Sequence, residues 1–226
     1  MKQNLIKIVK AIGLMALVFV TNLPPMLFLQ YQKAFSLGLS CSLAILYVVL
    51  VMVIVVFLWK YYHRLQPSNL SIKWRDIGFA FLWLVSGRVI AIAGTIFIRL
   101  VSGRATSAND AGLLELGKMM KGGFLPFAIL YILVIAVIAP IVEELIFRGN
   151  YIQLLFNGST GWLSWLVTTG IFAFLHSTTI LEILFYFAVG SVLFVAYARR
   201  GEIKESIFVH FLNNLLAGIY MLTLLF

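Results

Sequence analysis

Glu143 and Glu144 sit in one of the most apolar stretches of the chain, Phe124 to Phe156, and Arg148 follows four residues after the second. An ionised side chain at membrane depth costs about 2.5–3.5 kcal/mol on insertion scales, so carboxylates kept there point to chemistry. His176, His210 and Asn214, also in apolar segments, are the other groups able to move protons or donate hydrogen bonds. Spacing organises them: Glu144 and Arg148, Phe172 and His176, and His210 and Asn214 are each four residues apart. That interval puts both members of a pair on one side of a helix. Adjacent Glu143 and Glu144 lie about 100° apart around a helix and cannot do the same work. One can pair with Arg148 and stay ionised. The other, lacking a fixed counter-charge, suits a general base that takes a proton from water.

His176 can share such a water or ligate a metal, and His210 with Asn214 can donate to a developing oxyanion. Each pair also has a plainer reading. Glu and Arg can mark a charged helix end at the lipid interface, His176 an interfacial helix end, and His210 with Asn214 interhelical packing. Three such pairs in one chain favour a shared site. Pro140, just before the glutamates, removes a backbone hydrogen bond and predicts a kink that opens space beside them.

The elements that must carry these residues are membrane helices. Of 226 residues, 62% are hydrophobic and 11% charged, more apolar surface than a soluble domain of this size can hide. Apolar runs near 11–30, 34–59, 77–98, 124–146 (or on to 157), 161–178, 180–198 and 205–226 predict an all-α transmembrane bundle of about seven helices. None alternates as a barrel strand would. The site residues fall on the fourth, fifth and seventh spans. The chain divides into an N-terminal membrane region, 1–123, and a core, 124–226, that holds every candidate residue. Pro24-Pro25 interrupts the first span, which reads as a retained helix rather than a cleaved signal. The longest polar connections are Lys60–Asp76 and Arg99–Gly123, and no soluble domain fits between the spans.

The net charge of +9 is spread over span ends rather than one face, which excludes a nucleic-acid surface and suits contact with anionic lipid. With the N-terminus inside, eleven basic residues, Arg148 among them, fall on cytoplasmic segments and five outside. The positive-inside rule then predicts a cytoplasmic N-terminus and an external C-terminus. Arg88 is a basic residue within the third span with no evident partner, Asp76 and Glu182 being distant, and Glu182 reads as interfacial. Cys41 is alone, so there is no disulfide framework and no thiolate metal site.

Glu143-Glu144-x-x-x-Arg148, Phe172-x-x-x-His176 and His210-x-x-x-Asn214 together resemble the three motifs of the CAAX-protease and bacteriocin-processing family. Ala139-Pro140 before the glutamates and Phe147-Arg148-Gly149 around the arginine extend the match, which covers roughly residues 124–220. The resemblance implies an intramembrane endopeptidase in which Glu143 is the base and His176 shares its water. His210 and Asn214 are then the oxyanion donors, and Glu144 with Arg148 the supporting pair. It implies a peptide or lipid-modified protein as substrate and a bacterial cell membrane as location, with roles in bacteriocin self-immunity, peptide-signal processing or protein display. No cofactor is required by a glutamate-activated water, although two His and two Glu would suffice for Zn2+ by number. Where relatives often carry a second glycine after Gly190, this chain has Phe194, which bears on cavity shape.

Two other functions fit the same polar residues: a non-catalytic immunity protein that sequesters a peptide, and a small proton-relaying transporter. The transporter predicts internal repeat symmetry, which the sequence lacks. One geometric difficulty also arises. Glu144 and His176 lie about 20 and 22 Å from their nearest cytoplasmic turns, whereas His210 lies about 9 Å from Lys204.

Overall fold

The computed structural model describes residues 2–66 and 71–225. They form eight helices and no strand among the described residues: α1 Lys2–Tyr31, α2 Leu37–Leu65, α3 Trp74–Ser102, α4 Ala108–Lys118, α5 Leu125–Phe156, α6 Trp162–Leu175, α7 Ile180–Ala198 and α8 Ile203–Thr223. Six are long and apolar enough to cross a membrane, and α6 is a shorter apolar helix of 14 residues. The predicted fourth, fifth, sixth and seventh spans are α5, α6, α7 and α8. The polar connection Arg99–Gly123 holds a helix that the hydropathy pattern did not reveal. Ser107 caps α4 by accepting from the Asp110 N–H at 3.2 Å, and Asp110 lies in the first turn, where an anion complements the helix dipole.

Each reversal has a local cause. Gly103 (φ +70°) ends α3, and Asn157 (φ +52°) with Gly158 (φ +81°) ends α5, all in the left-handed region. Ser36 and Thr179 cap α2 and α7 through their hydroxyls. Pro24-Pro25 does not interrupt α1, which runs through both prolines. Pro25 leaves the Thr21 carbonyl without its usual donor, and the buried Tyr47 hydroxyl donates to that oxygen at 2.6 Å. In a bilayer a freed carbonyl needs such a substitute, and α2 supplies it.

α5 is the central helix. Of its most apolar window 61% is buried, against 11–39% in the other five long helices, so α5 meets protein where they meet lipid. Two π turns, Val134–Ile138 and Leu145–Asn150, break its α-helical register. In the first, the Ala139 N–H donates to Val134 O, five residues back. Pro140 would donate to Ile135 O in that register but has no N–H, and Asn214 Nδ2 of α8 donates there instead at 3.1 Å.

The helix ends gather at two poles. At one, Lys7 meets Asn157, Gln66 meets Gly201 O, and Arg199 and Arg200 both meet Asp76. At the other, Gln32 bridges Met119 O and the Phe124 N–H. There Glu182, which reads as interfacial, is enclosed by protein at that helix end. It pairs with Arg104 at 3.0 Å and accepts from the N–H groups of Ala108 and Thr178, which ties the start of α4 to the turn before α7.

Candidate functional site

Adjacent positions on α5 send the two glutamates to different surroundings. Glu144 turns away from open space. Its Oε1 accepts from Arg148 Nη1 at 2.9 Å and from His210 Nδ1 at 3.0 Å, and both acidic and basic side chains are fully buried. Arg148 therefore lies within the protein and not at a membrane boundary, contrary to its place among the cytoplasmic charges. Its Nη2 donates to Gly190 O at 2.9 Å, and its guanidinium carbon stands 4.8 Å over the Phe172 ring. Gly190 permits that approach: a Cβ there would stand 3.0 Å from Phe172 and Thr169 and 3.3 Å from Arg148 Nη2.

Glu143 faces a cavity of roughly 720 Å³ that is also lined by Asn22, Arg88, His176, His210, Asn213 and Asn214. Its Oε1 accepts from Asn22 Nδ2 at 3.1 Å, while its Oε2 has no hydrogen-bond partner and stands 3.7 Å from His176 Nε2. His176 ends α6, and its Nδ1 lies 2.8 Å from Phe172 O. A carbonyl only accepts, so Nδ1 carries the proton and a neutral ring leaves Nε2 as an acceptor. Two acceptors 3.7 Å apart can receive both protons of a single water.

Phe172 holds the arrangement together. It stacks on His176 with centroids 4.3 Å apart and meets His210 edge-on at 5.9 Å, with Arg148 on its face. The depth difficulty for His210 resolves here, because α8 packs on the π-distorted middle of α5 and brings His210 to Glu144. The Nδ1 contact leaves His210 Nε2 for other partners. Asn214 commits one N–H to Ile135 O and accepts from Asn213 Nδ2 at 3.2 Å, keeping its second amide N–H.

The structure thus brings Glu143, His176, His210 and Asn214 to one cavity and puts Glu144 and Arg148 behind its wall. The spacing did not reveal Asn22 of α1 or Asn213 of α8. Asn22 lies in an apolar helix three residues from Pro25, and only the packing of α1 on α5 aligns it with Glu143. The imidazoles and carboxylates form two separate pairs, Glu143–His176 and Glu144–His210. Among the described residues no three His, Cys, Asp or Glu side chains are close enough together to hold one metal ion. Zinc sites take at least three protein ligands, so this donor set does not fit a zinc ion.

Residues 125–216 match the family described as Type II CAAX prenyl endopeptidase Rce1-like. Three curated relatives are similar to the chain. YdiL, a candidate membrane peptidase of Bacillus subtilis (strain 168), is 28% identical over 62% of this chain and 55% of its own length. The membrane-embedded CAAX protease MroQ of Staphylococcus aureus (strain USA300) is 24% identical over 70% of this chain and 61% of its own. The protein YbdI of Lactococcus lactis subsp. lactis (strain IL1403) is 28% identical over 64% of this chain and 74% of its own. The chain thus spans only 55% and 61% of the first two relatives. No solved structure matches it. With a multi-pass helical fold and a match over α5 to α8, the core of the chain is similar to the CAAX-protease and bacteriocin-processing family of membrane proteins, in line with the resemblance its three motifs carry.

Proposed function

We propose that this protein is an intramembrane endopeptidase that hydrolyses a peptide bond in a peptide or lipid-modified protein taken from the membrane. One observation carries the reading: the unpartnered Glu143 Oε2 stands 3.7 Å from His176 Nε2 at the wall of a cavity large enough for a peptide segment. Water held between these acceptors has both protons engaged and its lone pairs turned outward. As its oxygen attacks the substrate carbonyl carbon, Glu143 takes a proton and the carbonyl oxygen becomes an oxyanion. The donors near that oxygen are the second N–H of Asn214 and, when its ring is protonated, His210 Nε2–H, with Glu144 as the counter-charge. Collapse breaks the C–N bond, and the proton on Glu143 passes to the leaving amine. Asn22 holds the other oxygen of Glu143, and Glu144 and Arg148 act from behind as a positioning pair.

The proposal includes a setting. The protein lies in a bacterial cell membrane with its N-terminus inside and its C-terminus outside, and it acts in bacteriocin self-immunity or in processing a membrane-associated peptide or protein. Relatives named as membrane peptidases or proteases support the peptidase reading and the membrane location. The test compares wild type with Glu143→Gln and His176→Ala in liposomes, using lipid-modified and unmodified peptides. Glu143→Gln should lower cleavage by about 10²-fold or more, the range typical of a lost general base. Normal turnover by both folded variants would sink the assignment. Bacteriocin protection that survives in inactive variants would mark a binding protein instead.

A further inference from the structure

Among the described residues, each arginine withdrawn from the surface meets a carboxylate, with one exception. Arg148 meets Glu144, Arg104 meets Glu182, and Arg199 and Arg200 meet Asp76. Arg88 meets only neutral oxygens: its Nη1 donates to Asn213 O at 3.3 Å and Asn213 Oδ1 at 3.2 Å. It lies midway along α3, fourteen residues from Trp74 and from Ser102, so about 21 Å separates it from either helix end. Phosphate headgroups stay at the interface, and a cation without an anion is costly at this depth. Arg88 also lines the cavity that contains Glu143 and His176. The cavity's own carboxylates, Glu143 and Asp110, form no ion pair with it, which leaves room for an anion brought into that cavity on a ligand.

We propose that Arg88 is a carboxylate-binding subsite that holds an anionic group of the peptide substrate beside the reacting bond. The guanidinium fork matches a carboxylate in two parallel hydrogen bonds, whereas the two Asn213 oxygens share a single nitrogen of it. The proposal rests on the peptidase reading and narrows its substrate. Asn213 lies three residues past His210 on α8, a rise of about 4.5 Å, while an extended peptide advances about 3.3–3.6 Å per residue. A carboxylate on Arg88 therefore belongs within a few residues of the bond that is cut. It is either the substrate's own C-terminus or an Asp or Glu side chain near that bond.

The test uses the full-length protein in detergent micelles and a fluorescent octapeptide of Leu, Val and Ala in three forms. These end in a free carboxylate, in an amide, or in an amide with one Asp three residues from the end. Binding is measured in the Glu143→Gln background, so that turnover does not intervene, and thermal unfolding verifies each variant. One of the acidic forms should bind at least tenfold more tightly than the neutral amide, and the preferred form identifies the source of the carboxylate. Arg88→Gln should reduce the preference below twofold, and Arg88→Lys should retain part of it. Equal binding of all forms, binding of none, or a preference that survives Arg88→Gln overturns the subsite. Uniform loss across all forms in Arg88→Gln also overturns it, and assigns Arg88 to orienting Asn213 and Asn214. If wild type cleaves no peptide yet the preference persists and depends on Arg88, the subsite stands and the peptidase reading fails.

Discussion

Glu144 joins Arg148 and His210 on the protein side of the site. Its Oε1 accepts from both Arg148 and His210, so removing either donor changes the balance around the carboxylate. Breaking a buried ion pair from one side costs about 3–5 kcal/mol, because the remaining charge has no solvent. Arg148→Met should therefore lower the unfolding temperature in detergent sharply, whereas Glu144→Gln combined with Arg148→Met should recover much of the loss. A double variant no more stable than the single one would show that charge balance is not what the pair contributes. Glu143 differs in kind: its Oε2 has no partner and faces a cavity, so its replacement should affect turnover more than stability.

Among the elements, α5 and α7 set the geometry. A regular α-helix through 125–156 would leave the Ile135 carbonyl paired within its own turn; the π turn and Pro140 free it, and Asn214 binds there. The tie between α8 and α5 thus runs through a residue whose spacing from His210 also suggests an oxyanion role. On α7, Gly190 lets the helix approach Arg148 and Phe172. Gly190→Ala should destabilise by about 1–3 kcal/mol, as overpacking does, and should reduce cleavage by displacing Phe172 from His176. Gly170→Ala on α6 is the internal control: its Cβ would meet nothing within 4 Å, so it should be neutral or slightly stabilising. Equal losses from the two substitutions in a thermal melt would count against this packing argument.

At the scale of the whole molecule, charge asymmetry between the poles bears on orientation. With Arg148 buried, the pole holding the N-terminus of α1 still carries Lys2, Lys7, Lys10, Lys60, Arg64, Lys73, Arg75, Arg199, Arg200 and Lys204, against Lys33, Arg99, Arg104, Lys118 and Lys121 at the other. The excess remains twofold, and the positive-inside rule follows such biases. Alkaline phosphatase fused after Phe226 should be active in bacterial cells, and a fluorescent protein fused before Met1 should fluoresce. The opposite pair of results would reverse the proposed orientation.

Much of this was legible from residue order, because apolar length and i, i+4 spacing are local properties. The all-α membrane fold, the positions of seven apolar helices and the i, i+4 relation of Glu144 to Arg148 follow from those properties alone, whereas the roles of the two glutamates come from the resemblance of the motifs. The short helix α4 escaped notice because its sequence is weakly apolar and its caps are ordinary polar residues. What tertiary structure decided was every relation between distant segments. Asn22 on Glu143, Tyr47 on the carbonyl freed by Pro25, Glu182 in the start of α4, and Arg88 on Asn213 join residues whose spacing carries no common period. The depth of His210 was decided there as well: straight, upright helices set it apart from Glu144, and the π-distorted centre of α5 brings them within 3.0 Å. In lipid every freed backbone group and every buried charge must find a partner within the protein, and which partner is in reach depends on how the helices pack.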